Sequence, residues 1–264
     1  MFFGRKSQKR NNLSKKCRVE KLEARELMAG DVWASVVNGT LRVSGDNSSN
    51  GVIIEQVGYQ TFKVAGSYQS GATRVNGSYA ERYFQGVYDD IEVSLNGGND
   101  SLRLGGTSES TRDILPDDVR INMGDGDDYV RVQWLSNRDY NDNISINTGW
   151  GNDTVSAYKV VCRNNMTIDT AQNWDTVDLN YITVGNRLNV YTGAGNDRFN
   201  LNQAIAYQVY AEMGSENDTV SIRNNSFTYL PTINGGSGSD TLNRFNNNKA
   251  VNHSFFEWFS YNNL

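Results

Sequence analysis

The sequence predicts an all-β fold, a right-handed parallel β-helix (β-solenoid) built from coils of about 22 residues. Two observations carry this. A Gly-rich phrase closing on aspartate recurs as NGGND, GDGDD, GWGND, AQNWD, GAGND, GSEND and GSGSD, which places Asp100, Asp128, Asp153, Asp175, Asp197, Asp218 and Asp240 at steps of 28, 25, 22, 22, 21 and 22 residues. Apolar residues then fall into fixed columns around each aspartate. Nine before it stand Ile91, Val119, Ile144, Met166, Leu188, Val209 and Pro231, and seven before it Val93, Ile121, Ile146, Ile168, Val190, Ala211 and Ile233. Two after it stand Leu102, Val130, Val155, Val177, Phe199, Val220 and Leu242, and four after it Leu104, Val132, Ala157, Leu179, Leu201 and Ile222. Polar residues alternate with them, so each unit reads strand, turn, strand. One coil cannot bury its inward row alone, whereas coils stacked about 4.8 Å apart bury a continuous apolar column. The remainder of each coil then serves as the crossover that parallel strands require, for which right-handedness is the rule.

The chain divides into four segments. Residues 1–30 hold nine basic and three acidic residues, a net of +6, and little strand pattern. The rest carries 16 basic and 27 acidic residues, a net of −11, which disfavours a nucleic-acid partner and is compatible with bound cations. Within 31–90, LRVSGDNSSNGVIIE puts Leu41, Val43, Val52 and Ile54 into the four columns with Asn50 at the aspartate position. TFKVAG, around Phe62 and Val64, reads as a further coil. NGSYAERYFQGVYDD reads as an aromatic-rich insertion or irregular coil. Residues 91–243 are the regular solenoid. A third, weaker apolar patch at Val160, Cys162, Ile182, Val184, Ala204 and Ala206 is broken by Asn225. Residues 244–264 end in HSFFEWFSYNNL, an aromatic stretch expected to fold over the last coil as a cap.

Composition narrows the function. The 34 Asn among 264 residues point to many turns or a stacked asparagine column. No apolar run approaches the roughly 20 residues of a membrane helix. Cys17 and Cys162 give neither metal spacing nor a disulfide framework, and Cys162 reads as a small inward residue. His253 is the only histidine and belongs to no catalytic set. On the outward row six before the aspartate, Asp169 and Glu212 lie two coils apart, near 10 Å, about the upper limit for an inverting carboxylate pair. No Ser-His-Asp set, phosphate loop or zinc spacing accompanies them.

Two phrases resemble known families. VEKLEARELMAGDV resembles the leader motif of planctomycete exported proteins, Leu-Glu-Pro-Arg followed by Leu-Leu and a small residue. Leu22, Glu23, Arg25, Leu27 and Ala29 match, while Ala24 and Met28 depart. The resemblance implies delivery to the cell surface or outside the cell. The head lacks the roughly 7–15-residue apolar stretch of an ordinary secretory signal. The turn phrase resembles the hemolysin-type calcium-binding repeat, Gly-Gly-x-Gly-x-Asp-x-apolar-x, which GGSGSDTLN at 235–243 satisfies throughout. The phrase here recurs every 22 residues instead of every nine, so its turns form one column on a wider coil.

That resemblance implies calcium between neighbouring turns, held by Asp100, Gly124, Asp125, Gly126, Asp128, Gly149, Gly151, Asp153, Gly193, Gly195, Asp197, Gly236, Gly238 and Asp240. The turns Gly124–Asp128 and Gly149–Asp153 are the leading pair, with Asp240 next. Asp175 and Asp218, whose phrases have lost glycines, belong to the structural turn column. The competing expectation is that the aspartates brace the turns by hydrogen-bonding main-chain N–H groups. The reading reached is a non-catalytic extracellular or cell-surface solenoid, structural or adhesive, whose partner is a surface glycan or a like solenoid. The alternative is a small carbohydrate-active β-helix.

Overall fold

The structure, a computed structural model, describes residues 30–67, 73–115, 117–137, 139, 141–256 and 258–262. The leader residues Leu22, Glu23, Arg25, Leu27 and Ala29 lie outside the described residues. The chain is an all-β solenoid whose parallel strands stack about 22 residues apart, with no α-helix among the described residues. One column of strands runs through Ile91–Ser94, Val119–Asn122, Ile144–Asn147 and Met166–Asp169. Register places Ile144 on Met166 and Met166 on Leu188. The second runs through Ser101–Leu104, Tyr129–Asn137, Thr154–Cys162, Thr176–Asn180, Arg198–Asn202 and Thr219–Arg223, with Val155 on Val177 and Val177 on Phe199. The turn phrases join the two columns, so no hairpin forms through them.

Every apolar column read from the sequence points inward. Val155, Val177, Phe199, Leu179 and Leu201 are wholly buried, as are Met166, Leu188 and Val190. The third patch also exists: Cys162 pairs with Val184, and Val184 with Ala206. Burial pushes the Cys162 thiol up to about 12, so it behaves as a packed apolar group. Asn225 stays inside this column. Its Oδ1 accepts the Ala204 N–H at 2.8 Å and its Nδ2 donates to the Leu201 carbonyl at 3.0 Å, so a buried amide is satisfied there.

The segment 31–90 departs from expectation in one respect. Thr40–Ser44 and Gly51–Gly58 form a coil that stacks directly on the Asp100 coil, with Leu41 on Ile91 and Val52 on Leu102. Thr61–Gly66 is not a further coil. It turns back at Gln60, which takes a left-handed φ of 51°, and pairs antiparallel with Gly51–Gly58. Arg82–Gln85, from the aromatic-rich insertion, adds antiparallel to Thr61–Gly66. Asp31–Val37 likewise pairs antiparallel with Thr40–Ser44. Both strand columns therefore end in antiparallel strands at this edge, which blocks further parallel stacking. Glu55 ties this cap to the body by bonding Lys63 at 2.7 Å and also Arg103.

The C-terminal aromatic stretch closes the other end. Asn252–Ser254 and Trp258–Asn262 lie on the last coil and continue both columns in parallel register, with Leu242 on Phe259.

Phe199→Ala should lower the free energy of unfolding by about 3–5 kcal/mol by leaving a cavity in a fully buried column. Val177→Asp should cost at least about 3 kcal/mol, because it buries a carboxylate without a partner. Denaturant unfolding followed by circular dichroism measures both.

Candidate functional site: the aspartate turn column

The turn column begins with backbone conformation. Four residues before each aspartate, φ is positive at Asn96, Gly124, Gly149, Ala171, Gly193, Gly214 and Gly236. Two before it, φ is positive at Gly98, Gly126, Gly151, Asn173, Gly195, Glu216 and Gly238. Glycine is needed for space as well as for φ. A Cβ on Gly124 would stand 1.3 Å from the Asn96 carbonyl oxygen, and one on Gly151 would stand 2.0 Å from that of Gly126. Ala171, Asn173 and Glu216 adopt φ of 62°, 85° and 77°, smaller than the glycines at the same positions, and so accept left-handed strain.

This corner turns the aspartates inward. Asp100, Asp128, Asp153, Asp175, Asp197, Asp218 and Asp240 are at most 2% exposed. Each Oδ1 accepts a main-chain N–H from the preceding coil. Asn50 N–H donates to Asp100 at 2.6 Å and Asp100 N–H to Asp128 at 2.7 Å. Asp128 donates to Asp153, Asp153 to Asp175, Asp175 to Asp197, Asp197 to Asp218 and Asp218 to Asp240, each at 2.8 Å. The N–H donors are the ladder residues themselves, so every inner rung donates to one neighbour and accepts from the other. The Oδ2 atoms of Asp100, Asp128, Asp153, Asp175, Asp197 and Asp218 are buried without a hydrogen bond.

Burial is the main cause that lifts these carboxyls. It pushes Asp100 and Asp175 up to about 8, Asp128 and Asp218 to about 7, and Asp153 and Asp197 to about 6. The row five before each aspartate, not recognised in the sequence as inward, modulates this. It holds Leu95, Met123, Thr148, Thr170, Thr192 and Met213, all buried. The Thr148 hydroxyl faces Asp153 outside good hydrogen-bond geometry, and it pulls that carboxyl down. Thr192 pulls Asp197 down while donating to the Met213 carbonyl at 2.9 Å.

The donor set does not fit calcium, which takes about 6–8 oxygens. At the leading pair, the Asp125 carbonyl accepts Gly98 N–H and the Trp150 carbonyl accepts Gly126 N–H. The Asp128 and Asp153 carbonyls accept Thr154 and Thr176 N–H. Both Oδ1 atoms are engaged, which leaves the two inward Oδ2 atoms as the turn-aspartate carboxylate oxygens without a hydrogen bond. Asp125 is exposed on the opposite side of the turn. Gly193, Gly195, Gly236 and Gly238 sit in the same crowded stacks as Gly124, Gly126 and Gly149. Among the described residues, the one trio of carboxylates with oxygens within 4.8 Å of each other is Asp89, Asp90 and Asp117, and no turn aspartate belongs to it.

That trio lies at a different corner, where Asp90 alone of the three joins a second ladder. Asp118 N–H donates to Asp90, Asn143 N–H to Asp118, Asn165 N–H to Asn143 and Arg187 N–H to Asn165, at 2.7–3.3 Å. A third ladder is pure asparagine, Asn246 to Asn224 to Asn202 to Asn180 through side-chain amides. A fourth runs on the outer side of the aspartate turn, where Asn152 N–H donates to Asp127 at 2.8 Å and Trp174 N–H to Asn152 at 3.2 Å. These ladders give part of the chain's asparagine content a structural role.

The outward row of Asp169 and Glu212 is also in register, Asp169 beside Tyr191 and Tyr191 beside Glu212. Tyr191 therefore stands between the two carboxylates. Tyr210 donates its hydroxyl to Glu212 at 2.7 Å.

Gly124→Ala should lower the free energy of unfolding by more than about 2 kcal/mol, through both φ and the Asn96 carbonyl. Ala171→Gly should raise it by up to about 1 kcal/mol, because it releases left-handed strain at a cost in chain entropy. Thermal and urea unfolding of the two variants decides this.

The chain matches no family model, and no curated protein or solved structure shows significant similarity to it.

Proposed function

We propose that the chain is a non-catalytic structural or adhesive solenoid acting at the cell surface or outside the cell. The observation that carries the reading is the character of the exterior. Outward positions are filled by side chains that hydrogen-bond to their own counterparts one coil away, such as Asn200 to Asp178 and Asn202 to Asn180. Groups committed to holding the coils together are poorly placed to act on a substrate. The exceptions are large exposed aromatics. Trp150 and Trp174 stand on adjacent aspartate turns at 61% and 66% exposure, flanked by Asn152 and Gln172. Exposed aromatic faces beside amide donors suit the C–H faces and hydroxyls of a glycan, which makes a surface glycan the favoured partner. The leader-like residues Leu22, Glu23, Arg25, Leu27 and Ala29 support delivery outside the cell.

A glycan array probed with the purified chain should give saturable binding to a restricted set of polysaccharides. The Trp150→Ala, Trp174→Ala double variant should lose at least about tenfold in affinity while melting like the parent. Equal binding by the double variant would remove the aromatic ridge from the reading, and the absence of any glycan ligand would leave self-association as the adhesive mode, read by sedimentation. Fusing residues 1–30 to a reporter enzyme should move it to the cell exterior, and a reporter that stays inside would remove the export role.

A further inference from the structure

We propose that the aspartate column holds protons, shared among neighbouring carboxyls, where the repeat phrase suggests cations, and that mild acid tightens the solenoid. The argument is geometric. Parallel register places successive aspartates about 4.8 Å apart, and all are removed from water. Ionised, they would form a buried row of like charges, the arrangement in which neighbouring carboxylates suppress each other's ionisation. Among the described residues, the charged groups with the largest effect on them do not offset this. The charged groups that act on Asp100, Asp128, Asp153, Asp175, Asp197 and Asp218 are the neighbouring rungs together with Asp46, Asp125, Asp127 and Glu216, all of them acidic. Each Oδ1 is already committed to a main-chain N–H, which leaves few carboxylate oxygens for the shell that calcium requires. The chain also supplies its own neutral rung. Asn50 fills the aspartate position of the first coil, is fully buried, and donates its N–H into the ladder as the aspartates do.

The sign of the effect follows from the raised carboxyls, which stand at about 6 to about 8 in the folded chain. A carboxyl whose folded value exceeds its unfolded value, near 4, contributes stability that is fully present below the unfolded value. That stability is lost as pH rises to the folded value. The solenoid should therefore weaken between about pH 4 and about pH 8. Asp113 and Asp117, lifted by burial to about 7 and about 6, act in the same direction, so the column must be tested rung by rung. Asp46, Asp127 and Glu55 are held below their usual range and act only at lower pH.

The test is thermal melting in chelator across about pH 5 to about pH 8, for the parent and for Asp175→Asn, Asp218→Asn and Asp175→Ala. The parent midpoint should rise by several degrees on acidification. Each Asn variant should flatten that slope and melt at or above the parent at the alkaline end, while Asp175→Ala melts lower throughout. Infrared spectra of the parent near neutral pH should contain a protonated-carboxyl band that shrinks in the Asn variants. A midpoint that climbs with pH, no protonated-carboxyl band near about pH 6, or a calcium-dependent midpoint abolished by Asp175→Asn would each overturn the proposal. The infrared measurement on the parent decides the matter even if a variant fails to fold. None of these outcomes bears on glycan binding, which is read separately.

Discussion

The hydrogen bond from one aspartate's N–H to the next aspartate's Oδ1 is the constraint on which the remaining structure depends. It repeats from Asn50 to Asp240 with lengths of 2.6–2.8 Å. Because the donor is main chain and the acceptor is side chain, the bond fixes the corner of each coil against the next. With the corner fixed, both flanking strands can pair only in one register, and a slip of one residue would turn Val155, Val177 and Phe199 to the outside. Such a bond is worth about 1 kcal/mol when the acceptor is neutral and about 1.5–3 when it is charged. Its larger effect is to make every alternative register leave a buried acceptor unmade.

Glycine at the turn and burial of the carboxylate are consequences of the same stacking. The Asp128 and Asp153 coils come close enough that the Gly124 carbonyl occupies the space a Cβ on Gly149 would need. That approach excludes water from the corner and closes it over the aspartates, whose carboxyls rise as a result. Where glycine is missing, at Ala171, Asn173 and Glu216, the turn is retained through left-handed φ. The inner bond together with the packing of the flanking strands therefore outweighs the local conformational cost, of the order of 1–2 kcal/mol per residue.

Much of this was legible in the sequence because in-register parallel stacking gives every residue of a column the same surroundings. The columns of Ile144, Ile146, Val155 and Ala157 could be read without coordinates, and so could the place of Asn50 at the first rung. The row of Leu95, Met123, Thr148, Thr170, Thr192 and Met213 escaped notice, since threonine and methionine share burial there but not polarity. The hairpins of 31–90 were misread because alternation has the same period in parallel and antiparallel strands; only the turn at Gln60 distinguishes them. The direction of the turn carboxylates was also hidden. An aspartate after glycines suggests a ligand facing solvent or metal, and its burial follows only from how closely the coils approach.

The unequal steps between aspartates have a consequence for size. From Asn50 to Asp100 the chain spends 50 residues, and from Asp197 to Asp218 only 21, yet each step advances the stack by one strand spacing. Extra residues leave sideways at the corners, as in the antiparallel strand Thr61–Gly66. The molecule thus works as a ruler graduated in rungs. The seven intervals between Asn50 and Asp240 set a span of about 34 Å, and insertion of loop sequence thickens the rod without lengthening it.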